Sequence, residues 1–195
     1  EVAGSANYEV DLNGIDNSFF EVVTSWKIAS GRSFREGEIA SSAPVCIIGP
    51  KVAENLFGAD DPLDRQFRLR RLSCTVIGVL ESQGSMFGQS RDDVVFLPIT
   101  TYQRRIAGNT DIVAIYMAAS SEAAIQQIEA DLTELMRDRR HLSASDANDF
   151  SVTDMSQISS TLGTVMGVLT GLLAAIAGIS LVVGGIGIMN IMLVS

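Results

Sequence analysis

After Asp154 the chain carries no charge: the 41 residues from Met155 to Ser195 contain no Asp, Glu, Lys, Arg or His. Histidine is almost missing as well. The single one, His141, lies beside Arg139 and Arg140 in a charged stretch, which fits a solvated surface position and leaves no histidine for a buried catalytic triad. No G-x-x-x-x-G-K-[ST] loop and no dinucleotide fingerprint occurs; the GGIG at Gly184–Gly187 has no lysine near it and lies in the uncharged segment, so it cannot cradle phosphate. Cysteine is limited to Cys46 and Cys74, without metal-site spacing. Both fall in apolar, strand-like runs. They read either as a disulfide or as two small buried hydrophobes, and the apolar context favours the second. These absences leave no catalytic constellation. The carboxylate pairs Asp60-Asp61 and Asp92-Asp93 adjoin loops and read as solvated turn residues.

The uncharged stretch is itself the strongest positive signal. About 20 apolar residues cross the ~30 Å hydrocarbon layer of a bilayer, and this run would form a helix of roughly 60 Å. A domain large enough to bury such a helix on all sides is not available in the 154 preceding residues. The segment is graded: Met155 to Thr164 carries Ser156, Gln157, Ser159, Ser160, Thr161 and Thr164, whereas Val165 to Val183 has only Thr170 and Ser180. Residues 155–164 are therefore expected as a stalk outside the lipid and 165–195 as the transmembrane helix. Gly163, Gly167 and Gly171, continued by Ala175 and Gly178, put small residues on one face, where a second helix can approach closely.

The formal charge of −9 belongs wholly to residues 1–154. Such an acidic body argues against nucleic acid or anionic lipid as the main partner. Arg65, Arg68, Arg70 and Arg71 read as the solvent face and turn of a hairpin, and Arg137, Arg139 and Arg140 as a helix C-terminus. No Lys or Arg lies within 14 residues of Met155, in keeping with a folded domain on the translocated side. The chain opens at Glu1 without Met and stops inside an apolar run, the expectation for a piece of a larger membrane protein.

Along residues 1–154 the pattern is α+β. Strands are expected at Tyr8–Ile15, Val45–Gly49, either side of Arg70-Arg71, Val94–Leu97 and Asp111–Ala118. Helices are expected after Asp16, from Pro50 to a stop at Gly58, and from Pro98 to Ala107. A further helix follows Ser121, with Ile125, Ile128, Leu132, Leu135 and Met136 as its apolar stripe. Residues 84–93 read as a loop with Met86 and Phe87 stranded on it, either a partner-contact surface or a pair folded back on the domain. Breaks near residues 31–42 and 107–111 suggest one subdomain over 35–106, inserted into another built from 1–34 and 107–154.

Several stretches resemble a known family. GGIGIMNIMLVS at the C-terminus, including Gly184, Gly185, Gly187 and Asn190, resembles the second transmembrane helix of the MacB-like (MacB/FtsX-type) ABC-transporter permeases. PVCIIGPKVAENLFG, CTVIGVLES and FGQSRDDVVFLPITTYQRRIAG resemble their periplasmic domain, in the family's order, so the likeness spans about Gly14 to Ser195. It implies a porter-like α/β subdomain with a strand-rich insertion, in the bacterial inner membrane with the soluble part in the periplasm. It further implies a homodimer driven by cytoplasmic ATP-binding domains, fused or separate. ATP and magnesium would belong to those domains and no cofactor to this chain. The implied role is mechanotransmission, in which long helices carry nucleotide-driven motion to the periplasmic domain during efflux of macrolides or peptides, with an adaptor and an outer-membrane channel. Release of lipoproteins from the inner membrane, and a signalling or scaffold role activating an envelope enzyme, stay open beside it.

Overall fold

The computed structural model describes residues 2–3, 7–86, 89–143 and 145–194. The chain divides into two compact units, Glu1–Ala118 and Ala119–Ser195.

The first unit is a mixed sheet covered on both faces. Its elements run β1 (Val2–Ala3), β2 (Asn7–Tyr8), β3 (Asp11–Ile15), α1 (Phe19–Val22), β4 (Ile28–Gly31), α2 (Glu36–Ala40), β5 (Val45–Ile48), α3 (Pro50–Phe57), β6 (Gln66–Leu69), β7 (Leu72–Leu80), β8 (Ser85–Met86), β9 (Gln89–Ser90), β10 (Val94–Pro98) and α4 (Ile99–Tyr102), the last running into a π-helical turn at Gln103–Ala107. The sheet order is β2-β1-β6-β7-β5-β10-β3, with β4 also paired to β7. β5–β7 and β10–β3 are parallel and the other pairs antiparallel.

The apolar runs at β5 and β10 are continuous because both faces are covered. Cys46, Ile48, Val95 and Leu97 face one cluster, with Val52, Phe67, Leu69, Cys74 and Val76. Ile47 and Phe96 face the other, with Ile15, Phe34, Ile77, Leu80 and Val94. Helix α3 roofs the first cluster through Val52, Ala53, Leu56 and Phe57. It starts at Pro50, where a missing N–H costs nothing, and ends at Gly58 with φ 63°. The second cluster is closed by aromatic rings, Phe19, Phe20 and Trp26 packing on Phe96 at 5.4, 5.9 and 5.3 Å between centroids. Arg32 and Glu38 brace α2: Arg32 Nη1 and Nη2 donate to the carboxylate at 2.8 and 2.6 Å, and the Arg35 N–H adds a third bond at 2.9 Å.

Four expectations from the sequence are corrected here. The boundaries at 34/35 and 106/107 do not divide the fold, because β3 and β4 pair with β10 and β7 in one sheet, and Ile15 and Phe34 share a core with Ile47 and Ile77. Ladder hydrogen bonds override a break legible only in composition. Asp111–Ala118 forms no ladder with any described residue, and Ile112, Val113, Ile115 and Met117 are exposed, Val113 at 99%. A strand pattern needs a partner edge before it becomes a strand. Tyr116 does lay its ring against Phe19 at 5.8 Å. Finally, Tyr8–Ile15 is two strands interrupted at Glu9-Val10, and α1 starts after Ser18 rather than after Asp16. The 84–93 stretch contains the small antiparallel pair β8–β9; Phe87 and the side chain of Met86 lie outside the described residues.

The second unit holds α5 (Glu122–Arg139) and α6 (Met155–Val194). In α5, Ile125, Ile128, Leu132 and Met136 are half-buried, whereas Leu135 is exposed.

Candidate functional site

Helix α6 is unbroken for 40 residues and contains no charged residue. The stretch Met155–Ile186 is long and apolar enough to cross a bilayer, and none of its described side chains is buried. Four of its hydroxyls are satisfied within the helix. The hydroxyls of Thr161, Thr164, Thr170 and Ser180 each donate to the carbonyl four residues earlier, at 2.8 to 3.0 Å. None of these four hydroxyl protons is left seeking a partner in hydrocarbon, which is what a lipid-facing helix requires.

Gly163, Gly167, Gly171, Ala175 and Gly178 lie on this helix. Each four-residue step turns about 40° round the axis, so the five small residues occupy one sector of the surface. A Cβ added at Gly163, Gly167, Gly171 or Gly178 would meet nothing within 4 Å. The same is true at Gly184 and Gly185. Gly187 and Asn190 are within α6, but their side-chain surroundings lie outside the described residues.

The loop after α5 is tied back to the end of that helix by a network barely legible in the sequence, and the foot of α6 carries a cap of its own. Arg140 is the C-cap of α5 and His141 follows with φ 54°. The His141 N–H donates to the Asp138 carbonyl and the Leu142 N–H to that of Arg137, both at 3.0 Å, the pattern of a Schellman turn with histidine in the usual glycine position. His141 thus closes the helix. Arg137 then reaches over the loop, its Nη1 donating to the Asp146 carbonyl at 3.1 Å and to Asn148 Oδ1, its Nη2 to the Ser143 carbonyl. Arg140 holds Asp149 in a fork, Nε lying 2.7 Å from both carboxylate oxygens and Nη2 2.6 Å from Oδ2. Asp146 Oδ2 accepts from the Ser143 hydroxyl and N–H, each at 2.8 Å. Asp154 closes the series, its two carboxylate oxygens accepting from the N–H and hydroxyl of Ser156 in the first turn of α6 at 2.8 Å.

These contacts set the local electrostatics. The Arg140 hydrogen bond holds the Asp149 carboxyl below the ordinary carboxylate range. The Ser143 hydroxyl lowers Asp146, and the Ser156 hydroxyl lowers Asp154, with backbone N–H groups adding in both cases. In sequence the signal was present but weak: a basic last turn of a helix, then Ser-x-x-Asp and Asn-Asp within reach of it.

The remaining candidates take structural roles. Asp60 pairs with Arg65 at 3.2 Å and Asp61 accepts the Leu63 N–H at 3.0 Å. Asp92 accepts from Ser82 Oγ and the Gln83 N–H, and Lys51 bonds Asp93 at 2.5 Å. Cys46 and Cys74 are free and fully buried, the Cys46 thiol lying 3.5 Å from the Thr75 carbonyl. Burial pushes that thiol above its usual range, with the neighbouring Cys74 adding to the effect. Of the arginine hairpin, Arg70 takes the turn with φ 52°, and it shares a cleft of about 400 Å³ with Glu9, Asp11, Tyr102 and Ile106. Among the described residues no group of three or more His, Cys, Asp or Glu could hold a metal ion.

Comparison with known proteins places this architecture. A family model described as MacB-like periplasmic core domain matches residues 1–135. The macrolide export ATP-binding/permease protein MacB of Marinobacter nauticus is 37% identical over 177 residues, covering 90% of this chain and 27% of that protein. The protein of the same name from Bdellovibrio bacteriovorus is 36% identical over 190 residues, covering 97% of this chain and 29% of its own length. The chain thus spans less than a third of these relatives. The crystal structure of the periplasmic region of MacB from Actinobacillus actinomycetemcomitans matches with a TM-score of 0.61 at 21% identity, over 78% of this chain and 64% of that one, a likeness of fold. With a periplasmic core domain matched over most of its length and a membrane-length apolar helix following it, the chain belongs to the MacB-like family of ABC-transporter permeases.

Proposed function

We propose that this chain is the force-transmitting part of an ATP-driven exporter, coupling ATP hydrolysis on a cytoplasmic domain to movement of a periplasmic one. The observation that carries the reading is the unbroken course of α6. An α-helix stabilised along its whole length by i to i−4 hydrogen bonds is stiff, so an axial or tilting displacement in the membrane reaches Met155 without a hinge to absorb it. The absence of any charge on α6 and the acidic periplasmic-type unit before it support an inner-membrane location with Glu1–Ala118 in the periplasm. Macrolides, named in the relatives' descriptions, are the first substrate class to test. An adaptor and an outer-membrane channel would complete the export route.

The small-residue sector of α6 supports a homodimer in which two such helices lie close. Replacing Gly163 or Gly171 by Cys, in full-length protein whose Cys46 and Cys74 are Ala, places a crosslinkable thiol on that sector. Complete crosslinking is expected to arrest ATP-dependent export while leaving the protein in the membrane. Unchanged export after complete crosslinking would remove the force-transmitting role.

A further inference from the structure

Fifteen residues, 140–154, separate the last residue of α5 from the first of α6. A flexible chain of that length has an end-to-end spread of about 20 Å. Such slack would swallow a helix displacement of a few ångströms before α5 felt it. In this structure the slack has been taken up. The Schellman turn fixes the exit from α5. The Arg137 guanidinium gathers three acceptors, from Ser143, Asp146 and Asn148, onto one planar group. The Arg140 fork holds Asp149. Only residues 150–153 then lie between the clamped segment and the Asp154 cap of α6.

We propose that Arg137 and Arg140 are positioning residues that clamp the α5–α6 joint, so that displacement of α6 is delivered to α5 instead of being lost in the linker. The inference rests on the force-transmitting reading above. Each contact taken singly is a half-exposed one, the Arg140 and Asp149 side chains being 49% and 46% exposed, and an isolated surface pair is worth little. The arrangement matters more than any member. A guanidinium presents its donors in a fixed fork, and one that satisfies two backbone carbonyls and a side-chain amide oxygen restrains all three points of the loop at once. A lysine at either position offers a point charge and cannot reproduce the fork.

The test uses the full-length protein in its membrane with the double substitution Arg137→Ala and Arg140→Ala. Hydrogen exchange across residues 141–153 is expected to speed up by about tenfold or more, as local opening becomes easy. ATP hydrolysis is expected to persist, while substrate exported per ATP hydrolysed falls severalfold. A purely structural role would instead lower hydrolysis, export and protein abundance together, and that result overturns the proposal, as does unchanged exchange or unchanged export per ATP. The exchanged pair Arg140→Asp with Asp149→Arg is expected to restore part of the protection lost in Arg140→Asp alone; no restoration also counts against the clamp. Should the unsubstituted protein show no ATP-driven export, the transport reading fails, and the exchange measurement still decides whether the two arginines hold the joint.

Discussion

Glycine shows most plainly how one residue type does opposite work in the two units. At Gly31 the backbone has φ 85°, and an added Cβ would lie 2.3 Å from the Ile77 carbonyl oxygen and 2.7 Å from Gly78 Cα. The close approach is what lets β4 pair with β7. Gly31→Ala combines a left-handed strain with a backbone overlap, and is expected to cost about 2–4 kcal/mol, read as a lower denaturant midpoint. A change below ~0.5 kcal/mol, the range of ordinary surface substitutions, would show that the strand pairing is not so tight. On α6 the contrast is complete. A Cβ at Gly163 or Gly167 meets open space, so alanine there costs the helix nothing and gains about 1 kcal/mol of propensity. In the proposed dimer a neighbouring helix approaching this sector would account for glycine at those positions. The sequence alone exposes the four-residue spacing on α6, but not the need at Gly31, which depends on a strand 47 residues further along the chain.

The elements most legible in the sequence are those whose signals are local. The proline start and glycine stop of α3, the amphipathic run of α5, the paired strands about Arg70 and the uncharged course of α6 all come through with near-correct limits. Elements that depend on a distant partner do not. β4 and α2 went unrecognised, and Asp111–Ala118 has the composition of a strand without a ladder. The joint between α5 and α6 belongs to this second class, since two arginines gain meaning only when Asp146, Asn148 and Asp149 fold back to them. Its pH response follows from its charges. Asp149 and Asp146 are held below their ordinary range, by Arg140 and by the Ser143 hydroxyl respectively. A depressed carboxylate contributes its stabilisation fully above the unfolded pKa of about 4, and loses it as pH falls through the lower folded value. Exchange protection at residues 141–149 is therefore expected to hold from pH 8 to pH 5 and to fail only in more acid solution. Loss already between pH 7 and pH 5 would show that these carboxylates do not hold the loop.

For the molecule as a whole, the decisive contrast is between an acidic folded unit and a charge-free helix on one chain. Residues 1–154 carry all of the −9 charge, while α6 exposes Leu, Ile, Val and Met along its length, Leu181 at 79% and Met192 at 77%. Leaving that surface in water is costly at about 25 cal/mol per Å², so the protein is expected to sediment with membranes and resist alkaline extraction. The side on which the folded unit lies can be read chemically. Ala59→Cys places a thiol at an exposed position following α3, in a chain whose Cys46 and Cys74 are Ala. A membrane-impermeant maleimide is expected to label it in cells whose outer membrane alone has been opened. Labelling only after the inner membrane is lysed would put the unit in the cytoplasm and remove the periplasmic reading.

The membrane-length apolar helix, the α+β class, the two caps of α3 and the acidic character of the folded part were determined by the sequence alone, because each follows from short-range periodicity or summed composition. Division into Glu1–Ala118 and Ala119–Ser195, the joining of β3 and β4 into the same sheet as β10 and β7, and the gathering of Ser143, Asp146, Asn148 and Asp149 onto two arginines were decided only by the tertiary structure. A ladder or a guanidinium fork is satisfied by atoms brought together across the chain. Which atoms those are is set by the packing of the fold and not by the order of residues along it.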